Sequence, residues 1–443
     1  MKSIISGVRK SIVPTKSLEN SKIQTADLAF DLVKSEIEKY PEVVNLEFGG
    51  SFAKGTWLPK SADVDIFIKF KKDTPEEKFV GISQKIGFSS MRDHNPYVRY
   101  SEHPYVEAKI KGTKINVVPC YEVELGNWKS AADRSPFHTL HMKKELSSKM
   151  RNEVRILKTF LQSTGIYGAE MAKQGFSGYV SEVLILNFGT FENVIKSIAK
   201  VKENQVIGKT EKGFETPIVI IDPVDSNRNL AAAISQENIG KFILNSRAFQ
   251  TSPSLKFFSP KKTKTSKDNL GNVLVVKFYF EMRSPDIIWG QIKRAASSLK
   301  TQLELGGFNV LRTSTYTDEK KECYLFFLME SPIIPKKYSK IGPDFFREGD
   351  CRGFIAKNIK RTNLMWINED RKIVSLEKRK HVEVVKFLSE FLKNNLETGI
   401  PKGLQNDLKK GFKIFLGTKT LSKSIKEVTK DLTSTDDTAF YFN

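Results

Sequence analysis

Cysteine is scarce. The 443 residues hold three, Cys120, Cys323 and Cys351, and none sits at pair spacing from another. That excludes a disulfide framework and a cysteine-rich zinc site. Nothing near Cys120 would activate it, so it reads as a small buried residue. Histidine is nearly as rare, at five, and His94, His103, His141 and His381 show no metal-ligand spacing. Long apolar runs are missing too: no stretch approaches the roughly 18 consecutive apolar residues of a membrane helix. Arg9 and Lys10 interrupt the N-terminus before a signal-peptide core forms. There is no internal repeat and no low-complexity block. These absences lead us to expect a soluble, cytoplasmic chain with no membrane partner.

Acidic residues are in deficit. Asp plus Glu number 51 against 72 Lys plus Arg, a formal net charge of +21. Apolar residues make up 39% and aromatics 11%, with 31 Phe, enough to build cores rather than a disordered basic tail. At about 150 residues per domain the length suggests roughly three domains. The positive excess points to a polyanion, but charge alone leaves both a nucleic acid and a merely well-solvated surface open.

Along the chain, Ile23, Ala26, Phe30, Val33 and Ile37 recur at helical spacing. Strands are expected over 43–48, 64–70, 105–110 and 114–121, the last two joined through a Lys111-Gly112 hairpin turn. Residues 75–86 read as a helix. From about 140 to 250 the pattern is helical, with one helix closing at Gly165 and another run over 177–199. Lys261, Lys262, Lys264 and Lys267 mark a basic loop or domain boundary. After it come strand (272–281), helix (286–305), strand (308–316) and strand (323–330), an order that suggests a split-βαβ, RNA-recognition-like sheet. Shorter strands at 364–367 and 373–377 and a helix over 381–396 follow.

The informative block is FGGSFAKGTWLPKSADVDIFI (48–68). A strand runs into Gly49-Gly50-Ser51, where backbone N–H groups can face a phosphate. The chain then returns as a strand that carries Asp63 and Asp65. Residues two apart on a strand point to one face. Two carboxylates side by side repel unless a divalent cation sits between them, and Mg²⁺ takes such oxygens while leaving room for substrate phosphates. That layout serves metal-assisted nucleotidyl transfer. With 51 acids in 443 residues, about six acid-x-acid triplets arise by chance, so the triplet alone is weak. Its placement on an apolar strand, after Gly-Gly-Ser at the end of another, is far more specific.

This block resembles the nucleotidyltransferase signature of the polymerase-β superfamily. The stretches SEHPYVEAKIKGTKINVVPCY (101–121), DRSPFH (133–138), NEVRILKTFLQSTGIYG (152–168), GFSGYVSEVLI (175–185) and DPVDSNRNLAAAIS (222–235) are similar, in order and spacing, to the archaeal class of CCA-adding enzymes. The resemblance runs from about residue 20 to residue 260, with weaker echoes at 252–258 and 341–345. It implies an α+β multidomain fold: a mixed-sheet nucleotidyltransferase head at 1–140, a helical neck at 141–258, an α/β, RNA-recognition-like body at 259–350, and a tRNA-binding C-terminal tail at 351–443. It implies template-independent addition of C, C and A to the 3′ end of tRNA from CTP and ATP with Mg²⁺. The family also admits a homodimer.

By position, the resemblance gives Asp63 and Asp65 to the metals, and Ser51 and Lys54 to the triphosphate. His138, Lys158 and Tyr167 fall at nucleotide-binding positions, and Arg228 at one that reads the base edge. Each residue also has a plainer reading. Ser51 suits a turn, His138 a structural hydrogen bond, Lys158 a solvated helix face, Tyr167 a core with a satisfied hydroxyl, and Arg228 a local bridge to Asp222 or Asp225. One position departs from the family: Asn116 stands where it has a third carboxylate, at once a metal ligand and a catalytic group. Asn offers a neutral oxygen but no charge and no useful basicity. Glu107, on the neighbouring strand, is the nearest carboxylate that could substitute. Two alternatives to the CCA-adding reading follow: a catalytically silent tRNA-binding homologue, or another template-free RNA nucleotidyltransferase of poly(A) type.

Overall fold

In the computed structural model the chain opens with two helices, α1 (Lys2–Ile12) and α2 (Lys16–Ile37). The Thr15 hydroxyl caps α2 by accepting from the Leu18 amide, and such caps satisfy donors the first turn would leave open. The structure describes residues 1–99, 103–259, 270–362, 364–417 and 421–435. Lys261, Lys262, Lys264 and Lys267, the basic run read from the sequence, lie outside the described residues. Those described form two compact units, one up to residue 259 and one from residue 270. No described helix is long and apolar enough to cross a membrane.

A five-stranded mixed sheet leads the first unit. Its elements are β1 (Val43–Gly49), the short helix α3 (Gly50–Lys54), β2 (Val64–Phe70), helix α4 (Glu76–Ser90), β3 (Tyr97–Arg99), β4 (Tyr105–Ile110) and β5 (Thr113–Tyr121). The strand order is β1-β2-β5-β4-β3. Strands β2 and β5 are parallel and the other pairs antiparallel. Lys111 and Gly112 both take positive φ, 46° and 78°, as a two-residue hairpin that matches strand twist requires. Ala26, Ala29 and Val33 of α2 and Phe79 and Ile86 of α4 pack on Val64, Ile66, Ile68 and Val117 of the sheet.

Helices follow: α5 (Arg134–Glu145), α6 (Ser148–Ser163), α7 (Gly178–Phe188) and α8 (Phe191–Ala199). Ser147, Ser177 and Thr190 cap the last three. The run over 177–199 is therefore two helices, parted where Gly189 takes φ 79° and Thr190 starts the next turn. Residues 141–258, expected to be helical, also hold a three-stranded sheet of β6 (Gln205–Ile207), β7 (Ile218–Asp222) and β8 (Asp225–Asn229) before helix α9 (Gln236–Thr251). Phe160 centres an aromatic cluster with Phe191, Phe242, Phe249 and Phe257. Each fully buried ring contributes about 2–3 kcal/mol of transfer free energy.

The second unit runs β9 (Val273–Tyr279), α10 (Pro285–Leu305), β10 (Val310–Thr317) and β11 (Glu322–Met329). Then come β12 (Lys337–Asp344), α11 (Glu348–Asn358), β13 (Leu364–Ile367) and β14 (Lys372–Lys378). The unit ends with α12 (Val384–Asn394), α13 (Leu396–Gly399), α14 (Lys402–Lys410), β15 (Phe412–Leu416) and α15 (Lys423–Thr433). Its main sheet has the antiparallel order β10-β11-β9-β15, the split-βαβ arrangement read from the sequence. Within 351–443, read as a tail, β15 is an edge strand of this sheet. Leu388, Leu392, Leu404 and Leu408 pack on one sheet face, and Leu421, Ile425 and Leu432 cover the other. Strands β12, β14 and β13 form a separate small sheet.

Candidate active site

The first unit's sheet sets the acidic residues in a row. Register pairs Gly49 with Asp65, Asp65 with Asn116, Asn116 with Glu107, and Glu107 with Tyr97. Residues paired this way share one face. The Asn116 amide donates from Nδ2 to Asp65 Oδ1 at 2.8 Å, while Asn116 Oδ1 is buried without a hydrogen-bond partner. Burial pushes the Asp65 carboxyl up, against the pull of the Asn116 hydrogen bond and the Lys54 charge. The turn after β1 presses on the same carboxylate. Gly50 has φ +60°, and a Cβ there would lie 1.7 Å from Asp65 Oδ2, so only glycine fits.

Asp63 immediately precedes β2. Burial, and then the charges of Asp65 and Glu107, raise its carboxyl, while Lys114 and Lys22 oppose the rise. Lys22 also fixes this stretch, with Nζ bonded to the Ala62 carbonyl at 3.3 Å and to Thr113 Oγ1 at 2.8 Å. Glu107 has other partners for both of its oxygens. Tyr97 donates its hydroxyl to one Glu107 oxygen, and Arg99 Nε lies 3.1 Å from the other, so both are engaged. Among the described residues no three His, Cys, Asp or Glu side chains are grouped to hold a metal. The donor set is two carboxylates and one unpartnered amide oxygen. All are hard oxygen ligands, which fits a divalent cation such as Mg²⁺ held chiefly by one or two carboxylates.

The cationic residues named from the sequence converge beside this row on two buried acids. Ser51 is the second residue of α3 and half-buried. Lys54 closes α3 and is buried, with Nζ 2.5 Å from Glu182 Oε2. Lys158 on α6 has Nζ 3.4 Å from Glu182 Oε1, and the Thr56 hydroxyl donates to that same oxygen. Helix α6 also grips the loop after α3. Arg155 donates to the carbonyls of Trp57 and Gly55 at 2.9 and 2.7 Å, and Lys158 to that of Thr56 at 3.1 Å. Lys158 is thus not a solvated helix residue. Tyr167 is half-buried, and burial together with Glu182, Glu170 and Asp63 raises its phenol. A Cβ on Gly178 would lie 3.0 Å from the Tyr167 hydroxyl and 3.3 Å from Lys158 Nζ.

Asp222 gathers the rest. His138 Nε2 donates to its Oδ2 at 2.9 Å and Arg228 Nη1 at 3.0 Å, while the Tyr179 hydroxyl and the Val224 amide donate to Oδ1 at 2.8 and 3.0 Å. Burial would raise the Asp222 carboxyl, yet these bonds, led by that from His138, hold it down at about 2. Burial lowers His138, against the raising effect of Asp222. The Tyr179 ring stacks on His138 at 3.9 Å and lies 5.3 Å from Lys54 Nζ, so it bridges the two clusters. Arg228 keeps 42% of its side chain exposed. Of its two candidate partners Asp222 is the one engaged, and Asp225 pairs with Arg134 at 3.1 Å.

Glu182, Tyr179 and Arg155 were not singled out in the sequence, and Asp222 was named there only as a local bridge partner for Arg228. A signal was present for the acids: Glu182 interrupts the run Tyr179–Ile185 and Asp222 ends the apolar run Ile218–Ile221, and a buried carboxylate needs partners.

Comparison with known proteins bears on this geometry. A nucleotidyltransferase domain matches residues 31–138, the second domain of tRNA nucleotidyltransferase matches 152–259, and the C-terminal domain of CCA-adding enzyme matches 271–417. The CCA-adding enzyme of Sulfurisphaera tokodaii is 35% identical over 395 residues, 88% of this chain and 90% of its own. That of Saccharolobus shibatae is 36% identical over 358 residues, 78% and 85% of the two chains. That of Sulfolobus acidocaldarius is 34% identical over 369 residues, 81% and 87%. Likeness at this level over nearly the whole length, in a chain that sets Asp63 and Asp65 beside a cluster of buried cations, places it in the family of CCA-adding enzymes.

Proposed function

We propose that this chain adds C, C and A in turn to the 3′ end of tRNA, from CTP and ATP, with no nucleic-acid template. The observation that carries the reading is the convergence of Lys54, Lys158, His138 and Arg228 on two buried acids beside Asp63 and Asp65. Four cationic or imidazole groups there suit a triphosphate and the base joined to it.

In this reading the 3′-hydroxyl of tRNA attacks the α-phosphate in line, the bond to the β-phosphate breaks, and pyrophosphate leaves. Asp63 and Asp65, with the neutral oxygen of Asn116, would hold Mg²⁺. When bound, that ion would neutralise phosphate charge and ease loss of the hydroxyl proton, which passes to solvent water. Ser51, Lys54, His138, Lys158 and Tyr167 orient the triphosphate, and the exposed part of Arg228 meets the base edge. Positioning and charge stabilisation carry most of the work in such transfers.

The segments then divide the labour as a nucleotidyltransferase head (1–140), a neck (141–258), a body (259–350) and a tRNA-binding tail (351–443). The acceptor arm is A-form and is recognised by shape and phosphates, which the charge of +21 suits. We place the reaction in the cytoplasm. The family resemblance also admits a homodimer, which sedimentation of the full chain would test.

The test is incorporation into labelled tRNA lacking its last three nucleotides, with Mg²⁺ and CTP or ATP, singly and together. Ordered addition of C, C and A that then stops supports the reading. Long A tails would mark a poly(A)-type enzyme. Tight tRNA binding with no incorporation, even after Asn116→Asp, would mark a silent tRNA-binding homologue.

A further inference from the structure

Glu182 anchors two of the cations named above but has been given no role of its own, and its setting is costly to build. Its carboxylate is fully buried in α7, and a buried anion is tolerated only with close partners. Three groups supply them, each from a different segment: Lys54 at the end of α3, Thr56 in the loop beyond it, and Lys158 on α6. Lys54 and Lys158 share this one anion, and Lys54 also faces the charge of Asp65. The groups lie where water is excluded and electrostatic attraction is strongest.

We propose that Glu182 is a positioning residue for the incoming nucleotide, holding Lys54 and Lys158 together as one preformed cradle for the triphosphate. The inference rests on reading this site as one for CTP and ATP. Without Glu182, two buried ammonium groups would repel each other with only the charge of Asp65 on Lys54 to offset them. One would move away or lose its proton, and an approaching triphosphate would have to reassemble the cradle at the expense of its own binding.

Lys158 is the group that reports this arrangement. Around it stand Glu182 on α7, Lys54 on α3, Arg155 one turn earlier on α6, and the Tyr167 hydroxyl across Gly178. Burial lowers the Lys158 ammonium to about 8, with Glu182 holding it up against Lys54 and Arg155. Neutralising Glu182 removes that support, and Lys158 gives up its proton at a lower pH.

The experiment uses the full chain and two readouts: equilibrium binding of CTP without tRNA, and kcat and KM on tRNA lacking its terminal nucleotides. In the unaltered protein CTP affinity falls about tenfold from pH 7 to pH 9, as one proton leaves Lys158. Glu182→Gln raises KM for CTP and ATP at least about tenfold at pH 8 with kcat changed far less, and most of the loss returns at pH 6. Glu182→Asp keeps the charge, binds CTP at pH 7 nearly as well as the unaltered chain, and moves the inflection below 8. A Glu182→Gln loss of the same factor at pH 6 and pH 8, or no loss, would overturn the proposal. If Glu182→Gln does not fold, the Glu182→Asp profile decides, and an unmoved inflection counts against it. CTP binding with this pH profile but no addition to tRNA upholds the cradle and removes the proposed reaction. CCA addition with a flat Glu182→Gln profile does the reverse.

Discussion

Across the parallel strands β2 and β5, the Asn116 side-chain amide donates to Asp65 Oδ1 at 2.8 Å. The residue that stands where the family has a third carboxylate thus acts here as a donor to the second. It steadies Asp65, and its own oxygen is left buried and unpartnered. A site with two charges and one neutral oxygen holds a divalent cation less tightly than a site with three charges.

Asn116→Asp reverses this balance. In chelator the variant loses the amide donor and sets a like charge against Asp65, and is expected to be about 2 kcal/mol less stable. With 10 mM Mg²⁺ the deficit closes or turns to a gain, because the third carboxylate adds affinity. Thermal unfolding in chelator and in Mg²⁺ reads both states. Equal stability in chelator and an unchanged response to Mg²⁺ would count against this assignment of the row.

Asp222 gives a pH signature. Its carboxyl is held at about 2 in the folded chain against a usual 3.8. A depressed carboxyl adds stability that is present above the unfolded value and lost as pH falls through the folded one. The difference is about 2 kcal/mol at neutral pH. Urea unfolding of Asp222→Asn beside the unaltered chain should show that gap at pH 7, narrowing between about pH 4 and pH 2. A gap that stays constant over this range contradicts the hydrogen-bond account.

Gly178→Ala separates stability from activity. The position starts α7, where alanine is a better helix former than glycine. The added methyl, however, meets the Tyr167 hydroxyl at 3.0 Å and Lys158 Nζ at 3.3 Å. We expect an unfolding midpoint equal to or above that of the parent, with KM for CTP raised several-fold. An unchanged KM would remove Tyr167 and Lys158 from the nucleotide site.

Binding to tRNA should be steeply salt-dependent. If several lysines and arginines neutralise phosphates, affinity falls about a thousandfold between 50 and 200 mM salt. Filter binding across that range gives the slope, and a flat response would detach the net charge of +21 from tRNA recognition.

Part of the arrangement was legible before the fold. Asp63 and Asp65 were named from their spacing after Gly49-Gly50-Ser51 and Asn116 from the family resemblance; the sheet pairs Asp65 with Asn116, while Asp63 falls just before β2. The Lys111-Gly112 turn was read from its dipeptide. Glu182 and Asp222 were not legible in the same way, because their meaning lies in partners far away along the chain. Lys54 reaches Glu182 across 128 positions and His138 reaches Asp222 across 84, and no local pattern encodes such a pairing. Strands β6 to β8 escaped because they have only three to five residues and β8 is polar throughout. Strand β15 escaped because its partner, β9, lies more than 130 residues earlier.

The most direct test is the initial rate of C incorporation into tRNA that lacks its terminal CCA. The unaltered chain is measured beside Asp65→Asn and Asn116→Asp over a range of Mg²⁺. The account predicts measurable addition by the unaltered chain, none by Asp65→Asn, and a higher rate at lower Mg²⁺ for Asn116→Asp. No addition by either the unaltered chain or Asn116→Asp at any Mg²⁺ concentration would contradict it.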